Sequence, residues 1–297
     1  MNLLQPLRSL NRNRWNLAFF EETSLKSVLS GDYSSVKWMH YADKTRWYAD
    51  PFILRVTEDE IVLLVEELSY QINRGRLAKI VVDRRTFKLL SMKIVLNLPT
   101  HLSFPMILRK DENIIVIPEN SASGKSSAYR YDEKTDEMQF IGVVCEQPLT
   151  DATILEYGDN SYIIATSLPN PNGNKLQIFE FDNDRLKAQP LYDITFDSTV
   201  ARNAGSPFKM DGKIYRPAQD CSGEYGKGVI IQEIGIDTKT SRMSFKDAAS
   251  IYPFNYNYHL GLHTLNIHDG MCVIDARGLL YPHIGRIVRP IINSLRR

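Results

Sequence analysis

The sequence predicts an all-β chain folded as a five-bladed β-propeller, and two observations carry that prediction. Short apolar runs such as "EIVLLVEE", "LAKIVVD", "NIIVIPE", "SYIIATS", "GVIIQEIGI" and "MCVIDAR" recur along the chain, separated by Gly, Asn, Asp and Lys turns. At longer range the chain repeats itself. The stretches "ADPFIL", "SFPMIL", "TDATIL", "GSPFKM" and "LHTLNI" share one layout, a special residue, then a small residue or proline, then an apolar strand. With Pro51, Pro105, Ala152, Pro207 and Thr264 taken as equivalent, the steps are 54, 47, 55 and 57 residues, the length of a four-stranded blade. Amphipathic helical patterns are scarce between residues 47 and 277, which excludes the βαβ architectures of most nucleotide enzymes. A β-sandwich with coincidental spacing is the alternative.

Each unit supplies a first strand, then a turn, and most add a second and a third. Several of the third strands end at an Asp followed by a Lys-Thr or Arg-Thr turn, as in "VVDRRTFK", "RYDEKTDE" and "GIDTKTSR". The fifth unit is short, because after "GMCVIDARG" the chain becomes basic and apolar. A ring needs closure, and the strand-like segments "WNLAFFEE" and "VKWMHY" at the N-terminus are the available donors. The expected organisation is one propeller over residues 1–283, with 1–45 closing the last blade, and a basic amphipathic tail over 284–297.

Composition narrows the function. Thirty-six basic against 35 acidic residues leave a net charge of +1, so no nucleic-acid partner is expected. Cys145, Cys221 and Cys272 are odd in number and lack a CxxC pair, which argues against a disulfide framework or a structural zinc site. "SGKSS" lacks the first glycine of a phosphate loop, and no cofactor is expected. His259 and His263 form an HxxxH, but on a β background they do not share a helical face, so no metal is expected. The N-terminus carries no secretory pattern and no segment approaches a bilayer span. The expected location is the cytoplasm. In the tail, Ile287, Val288, Ile291, Ile292 and Leu295 recur at helical spacing beside Arg286, Arg289, Arg296 and Arg297. That pattern suits an anionic membrane surface, packing on the propeller, or a protein partner.

In a propeller the head of each repeat faces the central channel. Asp50, Ser103 or Phe104, Asp151, Ser206 and His263 are therefore expected to meet around one pocket. Aligning "VEELS" with "IPENS" pairs Glu67 with Glu119, and "PAQDC" adds Gln219 and Asp220. Trp47 and Tyr225 are candidates to stack on a sugar, and His101, Arg202 and His263 to bind hydroxyls or an acidic group.

The elements "ADPF", "HLSFP", "PEN", "RNAGSPF" and "QDCSGEYG" together resemble the N-terminal propeller domain of glucosamine inositolphosphorylceramide transferases and its bacterial relatives, over about residues 45–277. That domain is similar to the five-bladed propellers of glycoside hydrolase families 43 and 32. The resemblance implies a glycosidase-like carboxylate site with Asp50 as base or nucleophile and Asp151 as the residue that orients and tunes. It leaves the acid open among Glu67, Glu119 and Asp220, because the third and fourth units offer no match to the family's acid. The expectation is an enzyme that transfers or trims a glycosyl unit in surface-polysaccharide or glycolipid biosynthesis, acting on a saccharide or glycolipid. The alternatives are a cytosolic glycoside hydrolase and a non-catalytic saccharide-binding module serving a separate glycosyltransferase.

Overall fold

The computed structural model describes residues 11–237 and 239–294. Twenty strands form five four-stranded antiparallel sheets. Blade one is β3 (Arg46–Val56), β4 (Glu60–Ser69), β5 (Arg74–Asp83) and β6 (Leu89–Leu96). Blade two is β7 (Ser103–Lys110), β8 (Asn113–Glu119), β9 (Ser126–Asp132) and β10 (Glu137–Cys145). Blade three is β11 (Leu149–Tyr157), β12 (Asn160–Ser167), β13 (Lys175–Asp182) and β14 (Lys187–Thr195). Blade four is β15 (Phe208–Met210), β16 (Lys213–Asp220), β17 (Gly228–Ile236) and β18 (Met243–Ile251).

The fifth blade contains the closure. Its order is β19 (Leu265–His268), β20 (Met271–Leu279), β1 (Asn13–Glu21) and β2 (Lys37–Trp38). The expected N-terminal donors are thus the outer half of this sheet, and β1 runs antiparallel to β20 from Asn13↔Leu279 to Glu21↔Met271. Between them lies the short helix α1 (Leu25–Leu29), which buries Leu25 and Val28.

The burial gradient within a blade explains the sequence texture. Second strands are covered on both faces by neighbouring blades, so β4 reads as the nearly unbroken apolar run of "EIVLLVEELS". Outermost strands such as β6 are exposed or half-buried for most of their length, here over residues 89–94, and buried only at Val95 and Leu96. The core is a set of inter-blade wedges. Leu17, Phe19 and Val273 pack on Ile61, Leu63 and Ile80 at the closing seam, and Ile164, Ile178 and Ile234 join blades three and four.

The blade heads share a backbone device. Asp50, Phe104 and Asp151 have positive φ (49°, 43° and 43°), and each sits in a β-bulge, between Ala49/Phe52, Ser103/Met106 and Thr150/Thr153. A left-handed non-glycine residue costs about 1–2 kcal/mol. Because Phe104 adopts it as readily as the two aspartates, the bulge belongs to the architecture, and the carboxyl groups are placed on it. In blade four Gly205 (φ 150°) precedes Ser206, and a Cβ there would lie 2.0 Å from the Leu265 carbonyl oxygen. No side chain fits at that point of the ring.

After β20 the chain forms helix α2 (Pro282–Ser294). Arg286 lies over the Tyr256 ring at 3.4 Å, so the start of the tail touches the propeller. Leu295, Arg296 and Arg297 of the expected amphipathic pattern lie outside the described residues, as do the side chains of Val288, Ile291 and Ile292. Among the described residues, no helix is long and apolar enough to cross a membrane.

Deleting residues 1–41 is expected to abolish cooperative unfolding in urea, because it removes two of four strands from one sheet and uncovers the Phe19 wedge. An unfolding midpoint and m-value equal to those of the intact chain would contradict this closure.

Candidate functional site

The bulges turn Asp50 and Asp151 toward the channel, where they are 4% and 2% exposed. Asp50 Oδ2 accepts a hydrogen bond from the Phe104 N–H at 3.1 Å, so the head of blade one ties down the head of blade two. Its Oδ1 lies 3.5 Å from His263 Nε2. Burial pushes Asp50 well above the usual carboxylate range; His263 opposes this, and the charges of Glu66, Asp151 and Asp275 add to it.

Asp151 is held more tightly. Its Oδ2 accepts from Arg202 Nε at 2.6 Å and from Gln219 Nε2 at 2.7 Å. Burial raises it to about 7, with Arg202 pulling down and Glu119 pushing up. Arg202 also donates through Nη2 to Glu119 Oε2 at 3.3 Å and through Nη1 to Asn172 at 2.8 Å. Glu119 in turn accepts the Asp151 backbone N–H at 3.3 Å and the Ser121 hydroxyl at 3.0 Å. Tyr225 covers this group, its ring 4.9 Å from the Arg202 guanidinium and edge-on to His263 at 5.3 Å.

Seven sequence candidates therefore fall in one connected cluster: Asp50, Asp151, Glu119, Arg202, Gln219, Tyr225 and His263. His101 stands beside it. It is half exposed, accepts the Gly75 N–H at Nδ1 and meets Glu66 Oε1 through Nε2 at 3.0 Å, and that hydrogen bond raises its pKa.

Three candidates do not join, and each departure has a register explanation. Glu67 pairs across from Tyr48, whereas Glu66 lies opposite Ala49, as Glu119 lies opposite Ser103 and Thr166 opposite Thr150. The structural counterpart of Glu119 is thus Glu66. A slip of one residue turns a side chain to the other face of its strand. Glu67, fully buried, is spent on Arg46 at 3.2 Å and Arg76 at 2.8 Å. Asp220 likewise faces away from its neighbour Gln219. Burial raises its carboxyl, but hydrogen bonds from Ser222, Tyr252 and Lys227 outweigh this and leave it below the ordinary value, the wrong direction for a proton donor. Trp47 lines a different cleft, with Arg12, Asn13, Leu68, Tyr70 and Asn73.

The sequence reading missed Asp275 and Trp15. Asp275, with 0% exposure, accepts four hydrogen bonds: from the backbone N–H groups of Asp50, His263 and Thr264 at 3.0, 3.1 and 3.0 Å, and from His263 Nδ1 at 2.7 Å. Trp15, brought in by the closing strand β1, stacks on the His263 ring at 4.0 Å. The only signal was the Asp inside "MCVIDAR", an acidic residue interrupting a strand that is otherwise buried on both faces.

Asp50, His263 and Asp275 offer three potential metal-ligand atoms within 4.8 Å of one another. The donor chemistry does not fit a metal. Four donors, His263 Nδ1 among them, already take up the two oxygens of Asp275, which leaves a cation only Asp50 and His263 Nε2; Asp275, followed by Asp50, raises His263 to about 9 against the effect of burial. At the other end of the channel lies a separate cavity of about 380 Å³, walled by apolar residues such as Phe52, Ile107 and Ile154 together with Arg109, Glu156, Lys209 and His268.

A ring of five four-stranded blades, with a buried carboxylate cluster at one end of its channel, defines a five-bladed β-propeller. Its structural likenesses agree with this. A family 43 β-xylosidase/α-arabinofuranosidase from a compost microbial metagenome aligns with a TM-score of 0.56 at 10% identity, over 80% of this chain and 93% of that one. A family 43 enzyme from Xanthomonas citri gives 0.53 at 8%, over 79% and 88%. At these identities the likeness is one of fold. The chain belongs to the family described as glucosamine inositolphosphorylceramide transferase 1, N-terminal, whose model matches residues 33–255. It is 29% identical over 247 residues to glucosamine inositolphosphorylceramide transferase 1 of Oryza sativa subsp. indica, and 29% identical to that of Arabidopsis thaliana. These alignments cover 79% and 80% of this chain but only 32% and 31% of the relatives, so it spans about a third of their length.

Arg202 holds two acidic groups, and its removal gives a pH signature. A carboxyl whose folded pKa is raised contributes stability that is present below its unfolded value and lost as pH rises through the folded value. For Asp151 that window runs from the ordinary value near 4 up to about 7. Arg202→Met removes the attraction that limits the shift. It is expected to destabilise by about 3–5 kcal/mol at about pH 8 and much less at about pH 5, by urea unfolding. Equal losses at both pH values would contradict the Arg202–Asp151 coupling.

Proposed function

We propose that the channel mouth is a saccharide site at which Asp50 carries out proton transfer or nucleophilic attack in making or breaking a glycosidic bond. One observation supports this above the others: Asp50 and Asp151 head their strands on the same bulge that holds Phe104, face the channel, and are both pushed up by burial, Asp151 to about 7. Glycosidic chemistry needs paired carboxyl groups with unequal proton affinity. Asp50 is the reacting group in this reading. Asp151, clamped by Arg202 and Gln219, adds its charge, after that of Glu66, to the burial that raises Asp50. Glu119 is the second carboxylate within the cluster, and Tyr225 offers a ring for a sugar face.

The family membership and the glycoside hydrolase-like fold support a carbohydrate-active role. The transferase activity for which the plant relatives are named belongs to proteins about three times longer, and for this chain glycosyl transfer or trimming in glycolipid or surface-polysaccharide assembly is part of the proposal. A second reading, a saccharide-binding module that partners a separate glycosyltransferase, is favoured by blade four, whose head is Ser206 and brings a hydroxyl where blades one and three bring a carboxyl group.

The two readings separate on one set of proteins. Wild type is expected to turn over at least one compound from a panel of aryl glycosides and activated sugar donors. Asp50→Asn is expected to lose about 10²–10⁴-fold in turnover while keeping saccharide affinity within a few fold by calorimetry. Its melting temperature is expected to hold or rise, since the change removes a carboxyl from a crowded acidic channel. Saccharide binding with no turnover in wild type across the panel would overturn the enzyme and select the module.

A further inference from the structure

His263 lies between two carboxyl groups that the fold treats differently. On one side Asp275 is wholly enclosed; its Oδ1 takes the His263 Nδ1 hydrogen at 2.7 Å and the backbone N–H groups of His263 and Thr264, while Oδ2 takes the N–H of Asp50. On the other side Nε2 is directed at Asp50 Oδ1, 3.5 Å away. The ring has no freedom to choose another orientation, because Trp15 stacks on one face with an interplanar angle of 17° and the Tyr225 ring meets it edge-on. A neutral imidazole would offer one N–H to two carboxyl groups. When Asp50 is ionised, only the doubly protonated ring gives a donor to each.

We propose that Asp275 acts through His263 as a positioning residue for Asp50: it holds the imidazole as a cation aimed at the Asp50 carboxyl, and it holds the Asp50 backbone by its N–H. This inference rests on the reading of Asp50 as the reacting group, and it adds the device that controls that group. The groups facing His263 are Asp275 and Asp50, with Asp151 and the Tyr225 hydroxyl further off. Around Asp50 they are His263, Glu66, Asp151 and Asp275. In each set the acidic groups outnumber the single cation. Without the imidazolium, every charge facing Asp50 would hold its proton and only the Phe104 N–H would favour the anion that a catalytic cycle requires.

Asp275 occupies an unusual place in the repeat. In blades one to three the residue opposite the bulge is Val65, Pro118 or Ala165, as the flanking pairs Phe52↔Leu64, Met106↔Ile117 and Thr153↔Ile164 show. In blade five the corresponding residue, next to the pair Leu265↔Ile274, is Asp275. In blade four, next to the pair Phe208↔Tyr215, it is Arg216, so blade five, whose head is histidine, is the one blade with a carboxylate at this place.

The test is nuclear magnetic resonance titration of the full chain, with ¹³C at the aspartate carboxyls and ¹⁵N in the histidine rings. In wild type, His263 is expected to show both ring nitrogens protonated at about pH 7.5 and to titrate near its raised value of about 9. The Asp50 resonance is identified by its loss in Asp50→Asn. His263→Gln is expected to move the Asp50 midpoint upward by about one to three pH units, and Asp275→Asn to lower the His263 midpoint toward about 6.5. A neutral His263 in wild type at about pH 7.5 would overturn the proposal even if neither variant folds. So would a folded His263→Gln protein with an unmoved Asp50. These readouts need no turnover, so an inactive wild type with both shifts present would retire the enzyme reading alone and leave the relay standing.

Discussion

The fold depends on how a ring of five sheets is closed, and the buried carboxylate of Asp275 sits at that closure. It reaches from the second strand of the last blade to the backbone of Asp50 in the first, across the seam that β1 completes from outside. Enclosing a carboxylate is costly, and it is sustained here by four donors converging on its two oxygens. Removing one such donor leaves the others intact; removing the carboxylate would leave three backbone N–H groups and an imidazolium without acceptors. The closing seam and the candidate site therefore share a residue.

The same logic runs around the ring. Asp50 caps the N–H at the head of blade two, Glu119 that of blade three, and Asn266 of blade five those of blade four, through the Ser206 N–H at 2.8 Å. Each bulge exposes a backbone donor that its own sheet cannot satisfy, and a neighbouring blade supplies the acceptor. Side chains that could serve chemistry are also the ones that lock adjacent blades together. Arg216 extends this inward: wholly buried, it bonds Asn203, Gln232 and the carbonyls of Val200 and Ala201, and Asn203 passes the contact on to the Asp151 and Ile164 carbonyls.

Much of this was legible in the sequence, for physical reasons. A blade head needs a bulge, and the bulge leaves a trace in the residue pairs Asp50-Pro51, Phe104-Pro105 and Asp151-Ala152 at blade spacing. Closure followed from counting strands in the fifth unit. What the sequence hid was the phase of side chains about the bulge. Glu66 and Glu67 are adjacent, as are Gln219 and Asp220, and in a strand adjacent residues face opposite ways. Repeat alignment settles spacing to within a residue, and one residue decides which member of each pair enters the channel. Asp275 was hidden differently, since blades one to three have an apolar residue at its position and blade four has Arg216, so no acidic residue repeats there.

The electrostatic arrangement also explains why an acidic channel can be stable. Arg202 binds Asp151 and Glu119 together, and His263 stands between Asp50 and Asp275. Two cations thus divide four carboxyl groups into two pairs, with the Tyr225 ring in contact with both. The most direct test of the account is a crystal structure of the protein soaked with an oligosaccharide that it binds. The account predicts a sugar ring against Tyr225 with its glycosidic oxygen within hydrogen-bond distance of Asp50. A saccharide seated in the Trp47 cleft or in the cavity at the far end of the channel, with Asp50 untouched, would contradict it.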